Sequence, residues 1–533
     1  MICSSSTTSR TRRLAAGLLL VALAVGPARG GTSVGDALAK ARTALAKGDG
    51  IAAEVPLRQA LRQGVPLTEV RAELGDALLL QGNRQEARKV LYGGAFPSGT
   101  EARGWRLKGR LELVEGNLGA AGYAFDQALR LAPDESSLWI DIARLRFMGG
   151  EEAQAIEAAD RAVRLAPRDP RSLELRGLLV REQFGLRAAL PWFEAGLAAA
   201  PDDTGLLGEY AATLGDLGQY RAMLVVCRKL AKVDPGNLRA LYLQAVLAAR
   251  AGRIDLARKI MQQTGTAFRD VPAAMLLNGL LEYQAGNANL AVGYFDRLVR
   301  AQPDNLQART LLARALEREG LNQQALDVAG QWAQSASASR YLLMVTADAL
   351  SGLRRKREGE QLRGRAARAE PVPATVIPTG QPLGALAIGY GQSPNLAATA
   401  VPYIRGLIEA GSAGEAVAVA DRLRQASPGA AGAWLLAGDA RLMSGDFAEA
   451  QEMYGRAAVI RFNLPTLQRI DLVLRRQGKA AEANALVARY LWQNPGSPQA
   501  MKLLSAGRAE LGDAAGAAMI EAVLRARGLR NPS

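Results

Sequence analysis

Histidine is missing from this 533-residue sequence, and cysteine occurs only twice. Without histidine, the chain has no His-based acid–base catalysis, no His-activated nucleophile and no His-ligated metal. Cys3 lies in the leader segment described below, so only Cys227 remains in a processed chain and no internal disulfide is available. Aromatic residues make up only 5% of the sequence, which argues against β-sandwiches and barrels.

Sequence motifs for catalysis or nucleotide binding are also missing. The chain has no phosphate-binding loop of the G-x-x-x-x-G-K-[ST] type, no G-x-S-x-G nucleophile turn and no C-x-x-C pair. Paired acids such as Asp202 and Asp203 stand at predicted helix starts, where they complement the helix dipole. The sequence therefore predicts a protein that is not an enzyme and that uses no cofactor and no metal.

Acidic residues are outnumbered, and the formal net charge is +15. Four of the positive charges fall in residues 1–30, which leaves +11 for the rest. Such a charge attracts anionic surfaces or polymers weakly over a Debye length, or it reflects an arginine-rich composition without a specific anionic partner. Both interpretations stay open, and nucleic acid is not an expected partner.

The first 30 residues have the layout of a secretory signal peptide. A basic start precedes the apolar run Leu14 to Val25, and small residues follow it up to Gly30. Twelve apolar residues are short for a membrane span, although an uncleaved anchor is the alternative. No cysteine follows the run, so a lipoprotein anchor is not supported. We expect export to the periplasm or cell envelope after cleavage near Ala28 or Gly30.

Proline and glycine recur with one period. The prolines that follow predicted second helices are Pro133, Pro167, Pro201, Pro235, Pro303 and Pro371. Every gap between them is 34 residues or twice that, and glycines at 48, 82, 116 and 150 keep the same period. A fixed period of this size indicates stacked supersecondary units. Each unit reads as two helices, because glycine ends the first and proline follows the second.

The residues inside each period resemble the tetratricopeptide repeat, whose signature places Trp, Gly, Ala, Phe and Pro at fixed spacings. The matching residues are Trp105, Gly109, Phe125, Pro133, Trp139, Pro167, Gly177, Phe193, Gly279, Phe295, Trp434, Gly438 and Tyr454. The resemblance implies an all-α, right-handed solenoid of helix-turn-helix repeats. It also implies that the first helix of each pair lines a concave groove for a partner.

Counting in this frame predicts the organisation of the chain. Residues 31–373 hold an N-terminal array of about ten units, and residues 397–533 hold about four more. Between them, residues 374–396 carry no charge and are rich in proline and glycine, so we expect helices of useful length to fail through most of this segment. It is either a linker or, through its apolar part Leu383–Tyr390, a segment that packs into a neighbouring groove.

Arginines on the first helices are candidates for binding an acidic ligand. Arg42, Arg110 and Arg144 occupy equivalent positions in three of the first four units, and Arg103 and Arg106 share a helical face with Arg110. Together they predict a basic stripe for carboxylate or phosphate groups. The alternative is that they pair with nearby acids such as Asp76 and Asp141.

Further along the chain, Tyr242, Leu276, Leu280 and Tyr283 predict a more apolar wall of the groove, suited to a peptide or a partner helix. The basic run from Arg354 to Arg357 is either a solvated face or a contact for anionic lipid or polysaccharide, so peripheral membrane association is a further hypothesis.

The sequence thus predicts a non-catalytic scaffold of the bacterial periplasm or envelope that binds a protein or peptide partner through the groove. By resemblance, exported proteins of this kind often serve envelope assembly, including exopolysaccharide export. The alternative is a binder of an acidic glycan or another anionic polymer.

Overall fold

The computed structural model describes residues 33–335, 338–368 and 379–526, and within these ranges it contains α-helices and no strands. The predicted all-α fold is confirmed. The predicted signal peptide, residues 1–30, lies outside the described residues. By packing, the chain divides into Met1–Leu111, here called unit 1, and Glu112–Ser533, here called unit 2. Each is described by itself.

Unit 1 contains two complete helix pairs. Its helices are α1 (Val34–Ala46), α2 (Gly50–Arg62), α3 (Leu67–Leu80) and α4 (Arg84–Tyr92). Helix α5 (Glu101–Val114) begins in unit 1 and ends in unit 2. The apolar residues that α1 to α3 share, among them Ala41, Leu57 and Leu74, form one buried core with α4.

Unit 2 continues with pairs of helices up to its last described residue. Its helices are α6 (Leu118–Leu131), α7 (Ser136–Met148), α8 (Glu152–Leu165), α9 (Pro170–Phe184), α10 (Leu186–Ala199), α11 (Thr204–Asp216), α12 (Tyr220–Val233), α13 (Leu238–Arg250), α14 (Ile254–Gln262), α15 (Pro272–Gln284), α16 (Ala288–Ala301), α17 (Leu306–Arg318), α18 (Asn322–Gln334), α19 (Arg340–Gly352), α20 (Lys356–Arg368), α21 (Leu383–Gln392), α22 (Ala397–Glu409), α23 (Ala413–Ala426), α24 (Ala431–Ser444), α25 (Phe447–Ile460), α26 (Leu464–Arg476), α27 (Ala480–Gln493), α28 (Pro498–Glu510) and α29 (Ala514–Ala526). First helices carry odd numbers up to α19 and even numbers from α22 onward.

Within a pair, a glycine of the first helix lies against an aromatic ring of the second. A Cβ atom on Gly177 would stand 2.6 Å from Cε1 of Phe193, a distance at which something must shift. Gly438 has the same relationship to Tyr454, and both rings are fully buried. Only glycine allows this approach, so the repeat signature reports how closely the two helices of a pair pack.

The loops between pairs begin at the signature prolines. The indole nitrogen of Trp139 donates to the carbonyl of Pro133 at 2.7 Å, and Trp434 makes the same bond to Pro428 at 2.8 Å. The tight turn inside each pair depends on glycine, because Gly116 has φ +83°, a left-handed value that side chains disfavour. The punctuation seen in the sequence is therefore backbone geometry.

The segment 374–396 contains a helix, which corrects one expectation. Helix α21 covers Leu383–Gln392, and Leu386 packs against Gly406 of α22. Tyr390 stacks on Tyr403 with ring centroids 4.9 Å apart. The prolines do not prevent this helix, because Pro382 stands just before its first turn, where a missing N–H costs nothing. Residues 369–378 lie outside the described ranges, and the boundaries of the two predicted arrays stay predictions.

Candidate partner-binding face

The predicted arginines of unit 1 are held in one ionic network. Glu73, whose side chain is 2% exposed, accepts hydrogen bonds from Arg42 at 2.9 Å and Arg103 at 3.0 Å. Asp76 accepts from Arg103 at 3.0 Å and from Arg110 at 2.9 Å. Each acid offsets the charge of two arginines, so an acidic ligand of this stripe would have to compete with carboxylates already in place.

The other two predicted arginines also interact within the protein. Arg106 is half-buried on α5 and already has an interaction within the protein. In unit 2, Arg144 lies 3.6 Å from the carboxylate of Asp141, which is 5% exposed. The pairing with Asp76 and Asp141 that the sequence offered as an alternative is thus present for Arg103, Arg110 and Arg144. Binding of an acidic ligand by these residues stays a prediction.

An acidic group that sequence reasoning missed follows in unit 2. Glu209 on α11 accepts hydrogen bonds from Arg181 at 3.0 Å and from Arg239 at 2.6 Å. Glu174 on α9 lies nearby, and burial together with the charges of Asp203 and Glu209 raises its pKa. The signal was available, since Glu209 stands four periods of 34 after Glu73 and both bind an arginine thirty residues further on.

Asp216 at the end of α11 shows how the protein surrounds this face. Its carboxylate lies 3.7 Å from Arg250, and 56% of its side chain is accessible. Burial nevertheless raises its pKa, as it does for Tyr242 on α13. These two observations differ because accessibility measures contact with water, whereas desolvation counts all protein around the charge. We give more weight to the direction of the pKa shift for both groups.

The four predicted apolar residues lie on α13 and α15. Tyr242 packs edge-on against Phe268, with ring centroids 6.0 Å apart. Leu276, Leu280 and Tyr283 follow one face of α15 and lie partly buried against the core formed by α16 to α20. The guanidinium of Arg318 lies 4.8 Å from the centroid of Tyr283. The structure therefore brings Leu276, Leu280 and Tyr283 together as one apolar surface with a cationic edge.

One repeat position gives this face its chemical character. We call the residues spaced by 34 from Arg144 the central column of unit 2: Arg144, Leu178, Ala212, Val246, Leu280, Arg314 and Asp348. Its middle four members are apolar and half-buried. At its far end, Arg314 donates to Asp348 at 3.0 Å. The column thus runs from charged to apolar and back, a pattern that the period alone could have revealed.

Two other kinds of site were sought in the described ranges. No cluster of three or more Cys, Asp or Glu residues suitable for a metal ion occurs in them. Among the helices of those ranges, none is both long and apolar enough to cross a membrane. Cys227 is fully buried at its predicted core position, and burial raises the pKa of its thiol to about 11.

The family comparison matches two stretches of this chain. Residues 276–339 and 404–463 fit the model described as "Tetratricopeptide repeat". The chain carries tetratricopeptide repeats. The matched stretches include Gly279 with Phe295 and Gly438 with Tyr454, which are two of the glycine–aromatic contacts described above. No curated protein matches the sequence.

Several solved structures are similar to this tetratricopeptide-repeat chain at low identity. A structure titled "Crystal structure of APC/C hetero-tetramer Cut9-Hcn1" is 15% identical with a TM-score of 0.33, and the match covers 90% of each chain. PilF of Pseudomonas aeruginosa is 14% identical with a TM-score of 0.32, covering 37% of this chain and 89% of that one. The MamA protein is 16% identical with a TM-score of 0.26, covering 32% and 93%. At these values the likenesses carry nothing about partners.

Proposed function

We propose that this protein is a non-catalytic scaffold that binds a partner protein through the first-helix face of unit 2. The observation that carries the proposal is the apolar middle of the central column, where Val246 and Leu280 are flanked by Tyr242, Leu276 and Tyr283. Apolar and aromatic side chains with a charged rim are the composition of protein-binding surfaces. Tetratricopeptide repeats generally bind protein partners, which agrees with this surface.

The cellular setting is part of the same proposal. The basic start and apolar run of residues 1–25, followed by small residues, support export to the periplasm or envelope. A role in envelope assembly, including exopolysaccharide export, rests on resemblance to other exported repeat proteins. Fractionation of expressed protein with N-terminal sequencing tests export. A full-length, unprocessed chain in the cytoplasm would remove this part of the proposal.

An acidic glycan as the ligand is less well supported. Arg42, Arg103 and Arg110 already bind Glu73 and Asp76, and the apolar column offers a glycan no charge. The two ligands differ in their response to salt, because a polyanion complex weakens steeply as ionic strength rises and an apolar interface changes little.

Site-specific photocrosslinking tests the protein-binding proposal. A photoreactive residue at Leu280 or Tyr242 should capture the same partner from envelope extract. A photoreactive residue at Val225, which is 65% exposed on the second helix α12, is the matched control and should not capture it. Adding Leu280→Glu should abolish capture from Tyr242. Capture that is equal from Val225, or unchanged by Leu280→Glu, would count against this face.

A further inference from the structure

Unit 2 contacts itself across about eight repeats. The backbone N–H of Ala431 donates to the carboxylate of Glu152 at 2.9 Å, although the two residues are 279 positions apart. The backbone N–H of Ala153 donates to the carbonyl of Gly429 at 3.0 Å. The turn inside the α7–α8 pair therefore meets the loop that joins α23 to α24. Since eight repeats separate these elements, the array inside unit 2 turns back onto itself.

The next two turns make the same kind of contact. In the α9–α10 turn, Gln183 donates to the carbonyl of Val459 at 3.1 Å and accepts from the N–H of Phe462 at 3.2 Å. The N–H of Leu186 then donates to Asn494 at 3.2 Å. Three consecutive turns thus meet the loops of three later repeats, and we call this contact the seam.

Glycines at the seam leave no room for a side chain. A Cβ atom on Gly496 would stand 2.5 Å from the backbone oxygen of Asp216 at the end of α11. Gly429 has the side chain of Gln154 against it in the same way. Elsewhere, the residue after a loop proline is often aspartate, as at Asp134. Gly236 is also a glycine at this position, but its Cβ would meet only Asp234, at 3.7 Å.

The seam is almost entirely polar. Its bonds join backbone groups and the side chains of Glu152, Gln183 and Asn494, and Arg461 adds an ion pair to Glu152 at 3.3 Å. Val459 remains 71% exposed and Trp492 64% exposed beside it. Polar contacts of this kind resemble transient interfaces rather than a core, so the closed state is held by few kilocalories and can open.

A closed seam changes what can reach the first-helix face. Between the two sides of the seam lie the repeats that carry the apolar middle of the central column. Protein surrounds the groups on this face, as shown by the raised pKa values of Glu174 and the partly accessible Asp216. We propose that the seam closes the side of unit 2, so that this face takes an extended polypeptide segment and excludes a folded domain.

This inference rests on the proposed function for its class of partner, but its test needs no partner. In the full chain, Leu280→Cys places a thiol on the central column, while Cys227 is buried. Its rate of reaction is measured with N-ethylmaleimide and with ubiquitin that carries one maleimide. The ratio of the two rates reports access for a folded domain relative to a small molecule, and Val246→Cys is the second label position.

Seam variants decide the outcome. An open state populated at about 1–10% should raise the ubiquitin-to-small-reagent ratio about tenfold when Gly496→Ala or Glu152→Ala opens the seam. Gly236→Ala, the matched control, should leave the ratio unchanged. A ratio that is the same in the parent and in both seam variants overturns the inference. Failure of the photocrosslinking experiment alone would instead count against the proposed function.

Discussion

Gly279 of α15 lies directly against the ring of Phe295 of α16, with no space for a methyl group between them. Phe295 is fully buried, and the same contact recurs at Gly177 with Phe193 and at Gly438 with Tyr454. The relationship fixes the distance between the two helices of a repeat. It therefore sets the position of Leu276 and Leu280, which lie on the same helix as Gly279.

Gly279→Ala should destabilise unit 2 by about 1–3 kcal/mol, because the added methyl group overpacks against the ring of Phe295. Gly293→Ala is the matched control on α16, since a Cβ there meets nothing within 4 Å. The control should be neutral or stabilising by about 0.5–1 kcal/mol, as for a glycine inside a helix. Urea unfolding measures both. Equal effects of the two variants would mean that the close contact is not present.

Asp439→Asn should be among the most damaging single substitutions in unit 2. Asp439 is 1% exposed and accepts hydrogen bonds from Arg469 at 2.8 and 2.9 Å and from the hydroxyl of Tyr454 at 2.8 Å. Removing one charge of a buried pair leaves the other uncompensated, which costs about 3–5 kcal/mol. Glu449→Gln, in a pair whose acid is 57% exposed, should cost about 0–1 kcal/mol. A small loss for Asp439→Asn in thermal unfolding would contradict the buried triad.

Arg103→Met should lower the stability of unit 1 by about 1–3 kcal/mol, because Glu73 and Asp76 each lose a hydrogen-bonded partner. Arg62→Met, at the exposed end of α2, should change stability by less than about 0.5 kcal/mol. Chemical denaturation followed by circular dichroism compares them. If Arg103→Met leaves stability intact, the arginines are available for a ligand and the basic stripe regains support.

Glu174 predicts a dependence of stability on pH. Burial and the charges of Asp203 and Glu209 raise the pKa of Glu174 above that of the unfolded chain. The folded state therefore binds the proton more tightly, and this group's contribution to stability falls as pH rises from the unfolded pKa through the folded one. Glu174→Gln removes the effect, so the variant should melt above the parent at pH 7 and show no advantage near pH 4. A difference in melting temperature that does not change with pH would contradict the raised pKa.

Most of the fold could be predicted from the sequence because each repeat is specified locally. The period of the prolines and turn glycines marks where helices end, and the glycine–aromatic pairs mark where helices touch within one repeat. Helix α21 was missed for a similar local reason, since the position of Pro382 before the first turn mattered more than the number of prolines. The charge partners of Arg103 and Arg110 were only an alternative, because spacing places side chains on a face without choosing their rotamers.

The sequence by itself determined the repeat frame, the helical pairs and the residues on the first-helix face, since all of these depend on contacts within about 34 residues. Only the tertiary structure decided that Glu73 and Asp76 hold the arginines and that Glu152 meets Ala431 across the seam. The reason is physical: small rotations between successive repeats add up over eight units, and no local pattern of residues records their sum.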